Sequence, residues 1–236
     1  MIVVLVAGSC DTADPALEAR LVCTHGPAGQ VLQPVEVGNF WEYEFFWRGV
    51  LSDAIRISVV EELPRGRFSD ERAFDLIETR GGEPATPATR KDVWANGPGG
   101  LTLVGRIFDI DADTVSGLPL LTHPFPAVSG EEYYWHLWTP PDGDPGGERF
   151  LRDSTRYEVV SPHEPLETLF GTFTTHVYTH FAPTPGTSGH NAFLHYAPGF
   201  GLAAWTEWPT RFARVGTPSA ELRLIDYCIK QAEDNP

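Results

Sequence analysis

The run "FWEYEFFWRG" (40–49) limits the possible folds more than any other stretch of this chain. Trp41, Tyr43, Phe45 and Trp47 recur at every second position, with Glu42, Glu44 and Arg48 on the other parity. Period two places alternate side chains on opposite faces of an extended chain, whereas a helix would scatter these rings around its axis. The run therefore predicts a half-buried strand. A stripe of this kind must be covered, because a patch of that size left in water invites aggregation. Trp41 and Phe45 are expected in the core, and Trp47, near the strand end, is the candidate cavity residue of the stripe. We expect the stripe to pack against the later strand that carries Trp205.

The same alternation returns along the chain. Ile55, Ile57 and Val59 alternate with Arg56 and Ser58. "RAFDLIETR" is a weaker strand, followed by the loop "GGEPATPATR" (81–90), and 91–110 reads as strand, turn and strand with the reversal at Asn96 to Gly100. "EEYYWHLW", "TRYEVV", "GTFTTHVYTHF", "NAFLHY", "GLAAWTEW" and "AELRLIDYCIK" complete about ten strands. The 21 prolines and 23 glycines sit mostly between these runs, where turns need them. The fold class is all-β: a single antiparallel sheet system, as a twisted half-barrel, a barrel or a sandwich. One β domain is expected over 31–236, after a tether over 1–30. Its halves carry a short echo, "PVEVGNFWEY" (34–43) and "PAVSGEEYYW" (126–135), each with Pro, then Gly, then rings three and five positions later.

Within "LHYAPGFGLAAW" (194–205) the apolar pattern breaks and at once resumes. Ala197-Pro198-Gly199-Phe200 fits a type II turn, with Pro198 fixing φ and Gly199 supplying a positive φ. Gly201 then permits a bulge or a close approach. A phosphate cradle would need a helix just after the glycines, and "LAAWTEWP" reads as strand.

The segments "QPVEVGNFWEYE", "GTFTTHVY", "HYAPGFGLAAW" and "AELRLIDYCI" occur in an order that resembles a family of uncharacterised exported bacterial proteins, many of them lipoproteins. The resemblance spans residues 33 to 229, and Tyr-Ala-Pro-Gly-x-Gly is its most specific part. Phe200 stands where that family usually has valine, Ala203-Ala204 replace a Val-Lys ending, and Thr175 stands near a position that can carry cysteine. The resemblance implies an exported antiparallel β-fold and carries over no catalytic residue.

The first residues, "MIVVLVAGSC", are similar to the end of a lipoprotein signal, in which Cys10 would receive the lipid. The alternative is that Ile2 to Val6 form a first strand of a cytosolic domain. If Cys10 is lipidated, Cys23 and Cys228 remain. A disulfide between them would close a loop of about 200 residues, nominally worth roughly 4–5 kcal/mol. Two buried free thiols are the other option.

A formal charge of −15 excludes nucleic acid and anionic lipid headgroups as partners, since phosphate binding needs concentrated positive charge. His176 and His180 lie on one face but roughly 13 Å apart at about 3.3 Å per residue. His136, His190 and His195 have no recognisable ligand spacing, so no metal is expected. Asp109, Asp111 and Asp113 have calcium-loop spacing, but Thr114 and Leu120 stand where glycine and glutamate are required. "PDGDPGGE" (141–148) and the Ser188–His190 proximity are equally ordinary loop features. No nucleophile elbow or zinc-protease motif is present, and no cofactor is expected. Two function classes remain. The first is an exported, lipid-anchored protein that binds an apolar small molecule or an envelope partner, with Trp47, Trp135, Tyr196 and Trp205 as candidate cavity residues. The second is a secreted hydrolase with a non-standard carboxylate or polar site.

Overall fold

The computed structural model describes residues 31–64, 72–81, 83–84, 91–107, 121–139, 150–182, 190–208 and 216–229. They form strands and turns, with no helix among the described residues. The strands of the first half are β1 (Phe40–Trp47), β2 (Val50–Leu63), β3 (Ala73–Arg80), β4 (Glu83–Pro84), β5 (Lys91–Gly97), β6 (Gly100–Ile107) and β7 (Leu121–Pro124). Those of the second are β8 (Glu132–Thr139), β9 (Phe150–Thr168), β10 (Gly171–Ala182), β11 (His190–Ala197), β12 (Gly201–Trp208) and β13 (Ala220–Cys228).

All thirteen join one antiparallel sheet, in the order β7-β6-β5-β3-β2-β1-β13-β12-β11-β10-β9-β8, with β4 added beside β3. The chain thus lays down one meander, then another, and its last strand returns to pair with its first. The all-β antiparallel fold expected from the alternation is the one adopted, as a curled sheet whose pairing, among the described residues, ends at β7 and β8. The count exceeds about ten because β4 and β7 are too short to show a period, while Pro162 and Pro165 lie inside the long strand β9.

The short echo extends into a structural repeat. Gly38 and Gly130 both have positive φ, 92° and 79°. Gly38 N–H donates to Val59 O at 2.9 Å and Val59 N–H to Asn39 O at 2.9 Å. In the second half Gly130 N–H donates to Val159 O at 2.8 Å and Val159 N–H to Glu131 O at 2.9 Å. The irregularities match too. The β1–β2 ladder slips between Phe45 and Phe46, opposite Asp53 and Leu51, and the β8–β9 ladder slips between Leu137 and Trp138, opposite Asp153 and Leu151. β2–β3 slips after the pair Val59↔Leu76, and β9–β10 at the pair Tyr178↔Val159. β5–β6 slips between Val93 and Trp94, and β11–β12 between His195 and Tyr196. A bulge is a one-residue insertion fixed by local packing, so three shared bulges mark one unit built twice. The sequence agrees once the register is known: "LSDAIRISVV" (51–60) and "LRDSTRYEVV" (151–160) share Leu, Asp, Arg and both valines.

The two units interlock through their turns. Phe200 N–H donates to Ala197 O at 2.9 Å and Gly199 has φ 81°, which closes a type II turn. The segment leading into β1 docks there: Gly199 N–H donates to Val31 O at 2.8 Å. Trp41 Nε1–H donates to Phe200 O at 2.5 Å and Tyr43 Oη–H to Leu202 O at 2.8 Å. Both rings therefore reach across β13 to the start of the Trp205 strand. The segment leading into β8 docks on the first half's turn with the donor and acceptor exchanged, Phe125 N–H donating to Gly99 O at 3.1 Å. The main core joins Trp41, Tyr43, Val59, Phe74, Leu101, Val159, Tyr178 and Tyr196 across both halves.

Candidate functional site

The register turns the repeat into a residue-by-residue comparison of the two halves. The cross-strand pair Trp41↔Ile57 corresponds to Tyr133↔Tyr157. Val59↔Leu76 corresponds to Val159↔Tyr178, Phe74↔Trp94 to His176↔Tyr196, and Asp75↔Val93 to Val177↔His195. So Trp41, Ile57, Leu76, Phe74, Trp94 and Val93 of the first half become Tyr133, Tyr157, Tyr178, His176, Tyr196 and His195 in the second. Ile57, Leu76, Phe74 and Val93 thus give way to tyrosine or histidine, while the exchange runs the other way at Tyr43, whose counterpart is Trp135, and at Asp75, whose counterpart is Val177.

At the centre of these tyrosines stands His123 of β7, only 1% exposed. Its ring lies 5.2 Å from those of Tyr178 and Tyr196 and 6.3 Å from those of Tyr133 and Tyr157. Trp94 stacks on it at 6.0 Å. His123 Nδ1 and Tyr133 Oη share a hydrogen bond of 3.0 Å, in which the tautomer decides the donor. Tyr178 Oη–H donates to Pro124 O at 2.7 Å. Burial, and then the neighbouring tyrosines, push the hydroxyls of Tyr133, Tyr178 and Tyr196 well above the ordinary tyrosine range. These groups stay neutral donors and acceptors at any physiological pH.

The buried polar residues among those described are Gln33, Asn39, His123, Thr175, His176 and His195, with no carboxylate. Nor do three or more His, Cys, Asp or Glu side chains converge as metal ligands among the described residues. His195 Nδ1 lies 4.0 Å from Glu164 Oε1 on the reverse face of β11. His176 is 8% exposed and its Nδ1 has no hydrogen-bond partner. Its ring is edge-on to Phe125 at 5.2 Å and to His163 at 5.8 Å.

Burial first, and the nearby His163 second, lower the pKa of His176 from its ordinary value of 6.5. The unfolded chain then binds a proton that the folded chain refuses, so stability falls as pH drops below about 6.5. We predict a urea midpoint that declines from pH 8 to pH 5, with a shallower decline in His176→Phe, which installs the first half's residue. Equal slopes for the two proteins would refute the assignment.

The structure separates the residues singled out from the sequence. Tyr196 lies in the His123 cluster. Trp205 is half-buried on β12, opposite Leu194 and Leu222, in one row with Phe45. Trp47 is 48% exposed at the tip of the β1–β2 hairpin. Trp135 pairs with Thr155 in the β8–β9 ladder, and its side chain lies outside the described residues. A cleft of about 240 Å³ opens elsewhere, between Val31, Leu32, Asn96 and Phe125. Cys228 is fully buried and disulfide-bonded, whereas Cys10 and Cys23 lie outside the described residues. Sequence reasoning passed over His123, a lone histidine in the four-residue strand "LTHP". Only the repeat, with its register, singles out that interior.

No family model and no curated protein matches this chain. Two solved structures resemble it in fold. One is a protein from Bacteroides fragilis described as exported, with a YmcC-like fold, at 14% identity and a TM-score of 0.42 over 83% of this chain and 97% of the other. The second, from Parabacteroides distasonis and described as a lipoprotein, is 13% identical with a TM-score of 0.45 over 85% of this chain and 100% of the other.

Proposed function

We propose that this is an exported, lipid-anchored binding protein that holds a small uncharged molecule inside its second half, against Tyr133, Tyr157, Tyr178, Tyr196 and His123. The gathering of four tyrosines around the buried His123, at positions where the first half has Trp41, Ile57, Leu76 and Trp94, carries this reading. Neutral rings with hydroxyls suit a ligand with an apolar body and a few hydrogen-bonding groups. They do not suit an ion, which would be left without a countercharge. The absence of buried carboxylates among the described residues weighs against the hydrolase reading.

N-phenyl-1-naphthylamine, an uncharged fluorescent probe, tests this reading. It should bind, and Tyr178→Leu, which restores the first half's residue, should fold and weaken binding at least tenfold. Failure of the probe to bind, or equal binding by the variant, overturns the reading.

For export, the disulfide at Cys228 fits an oxidising compartment. With Cys23 as its partner, Cys10 is left for lipid. Cells given palmitate should label the full-length protein, and Cys10→Ser should abolish the label. An unlabelled protein in the cytosolic fraction would sink this assignment.

A further inference from the structure

The two seams between the repeated units are equivalent in position and unequal in bonding. At one, β1 and β13 share a ladder from Phe40↔Cys228 to Trp47↔Ala220. At the other, the described residues of their counterparts β8 and β7 share no ladder. What spans this second seam is made of side chains. His123 Nδ1 meets Tyr133 Oη at 3.0 Å, and Tyr178 Oη–H donates to the carbonyl of Pro124 at 2.7 Å. β7 itself has four residues, paired to β6 from Gly100↔Pro124 to Leu103↔Leu121.

A backbone ladder opens only by losing many bonds together, whereas a short edge strand latched by two side-chain hydrogen bonds lies at the low end of local stability. β7 also carries His123, whose ring packs against all four tyrosines. Moving β7 outward would uncover Tyr133, Tyr157, Tyr178 and Tyr196 at once, at the cost of the short β6–β7 ladder and no other. We infer that the β7–β8 seam is the mouth of the second half's interior, with β7 as its door and the His123–Tyr133 hydrogen bond as its latch. The identity of what passes through rests on the binding function proposed above; the opening itself does not.

Hydrogen exchange on the full-length protein tests the door. Amides of the β6–β7 ladder should exchange at least tenfold faster than those of the β1–β13 ladder. Tyr133→Phe, which removes one hydroxyl, and His123→Phe, which keeps a ring, should speed the first group further and leave the second unchanged. In parallel, N-phenyl-1-naphthylamine should associate faster with both variants. Equal protection of the two ladders, or equal acceleration of both by the variants, overturns the inference. Selective exchange without probe binding would support the mouth and refute the ligand reading, so the two failures are distinct.

Discussion

Trp41→Ala is expected to lower stability by about 3–5 kcal/mol, the usual range for emptying a large aromatic site in a core. The side chain is fully buried, and its indole N–H satisfies the Phe200 carbonyl. It also rests on Gly201, where a Cβ would approach its Nε1 to 3.1 Å. The truncation leaves a cavity between the two halves and removes the indole hydrogen bond to the half-buried Phe200 carbonyl, which adds about 0.5–1.5 kcal/mol. The same stripe contains its own control. Trp47, 48% exposed, should tolerate alanine within about 0.5 kcal/mol. Urea denaturation of both variants measures the contrast. A native-like midpoint for Trp41→Ala, or an equal loss for Trp47→Ala, would show that the ring does not join the halves.

How far the sequence reached can be judged from the same residues. Period two in 40–47 and 55–59 was enough for strands, because a sheet's inner face must be apolar whatever its neighbours are. Pro198-Gly199 was legible as a turn, since φ requirements are local. The order of strands was not, because pairing β1 with β13 depends on contacts almost 190 residues apart that no local signal encodes. β7 was invisible for a related reason. "LTHP" has no period, and its place is set by Gly100, Phe125 and the tyrosines around His123. The candidate site suffered most. A tyrosine at period two reads like any core ring, so Tyr157 and Tyr178 acquire meaning only beside Ile57 and Leu76, once the register makes them counterparts.

Gly100→Ala should be the most damaging small change at the door, and it separates two sources of strain. Gly100 has φ +126°, where any side chain is unfavourable, and a Cβ there would fall on the carbonyl oxygen of His123 and lie 2.8 Å from the backbone nitrogen of Phe125. Neither atom belongs to a flexible side chain, so β7 itself would have to move. That movement would break the Gly100↔Pro124 pairing and carry His123 away from Tyr133. Gly130 isolates the conformational part: it has φ +79°, yet a Cβ would meet nothing within 4 Å. Gly130→Ala should therefore cost only the backbone strain, on the order of 1 kcal/mol. Gly100→Ala should exceed the roughly 1–3 kcal/mol of a strained φ, because displacement of a strand is added to it. Near-ultraviolet circular dichroism gives a second reading, since moving β7 would loosen the rings packed around His123 even if the rest of the sheet survives. Should Gly100→Ala match Gly130→Ala in urea midpoint and keep the wild-type aromatic signal, β7 would not be seated on Gly100 in the way the structure describes.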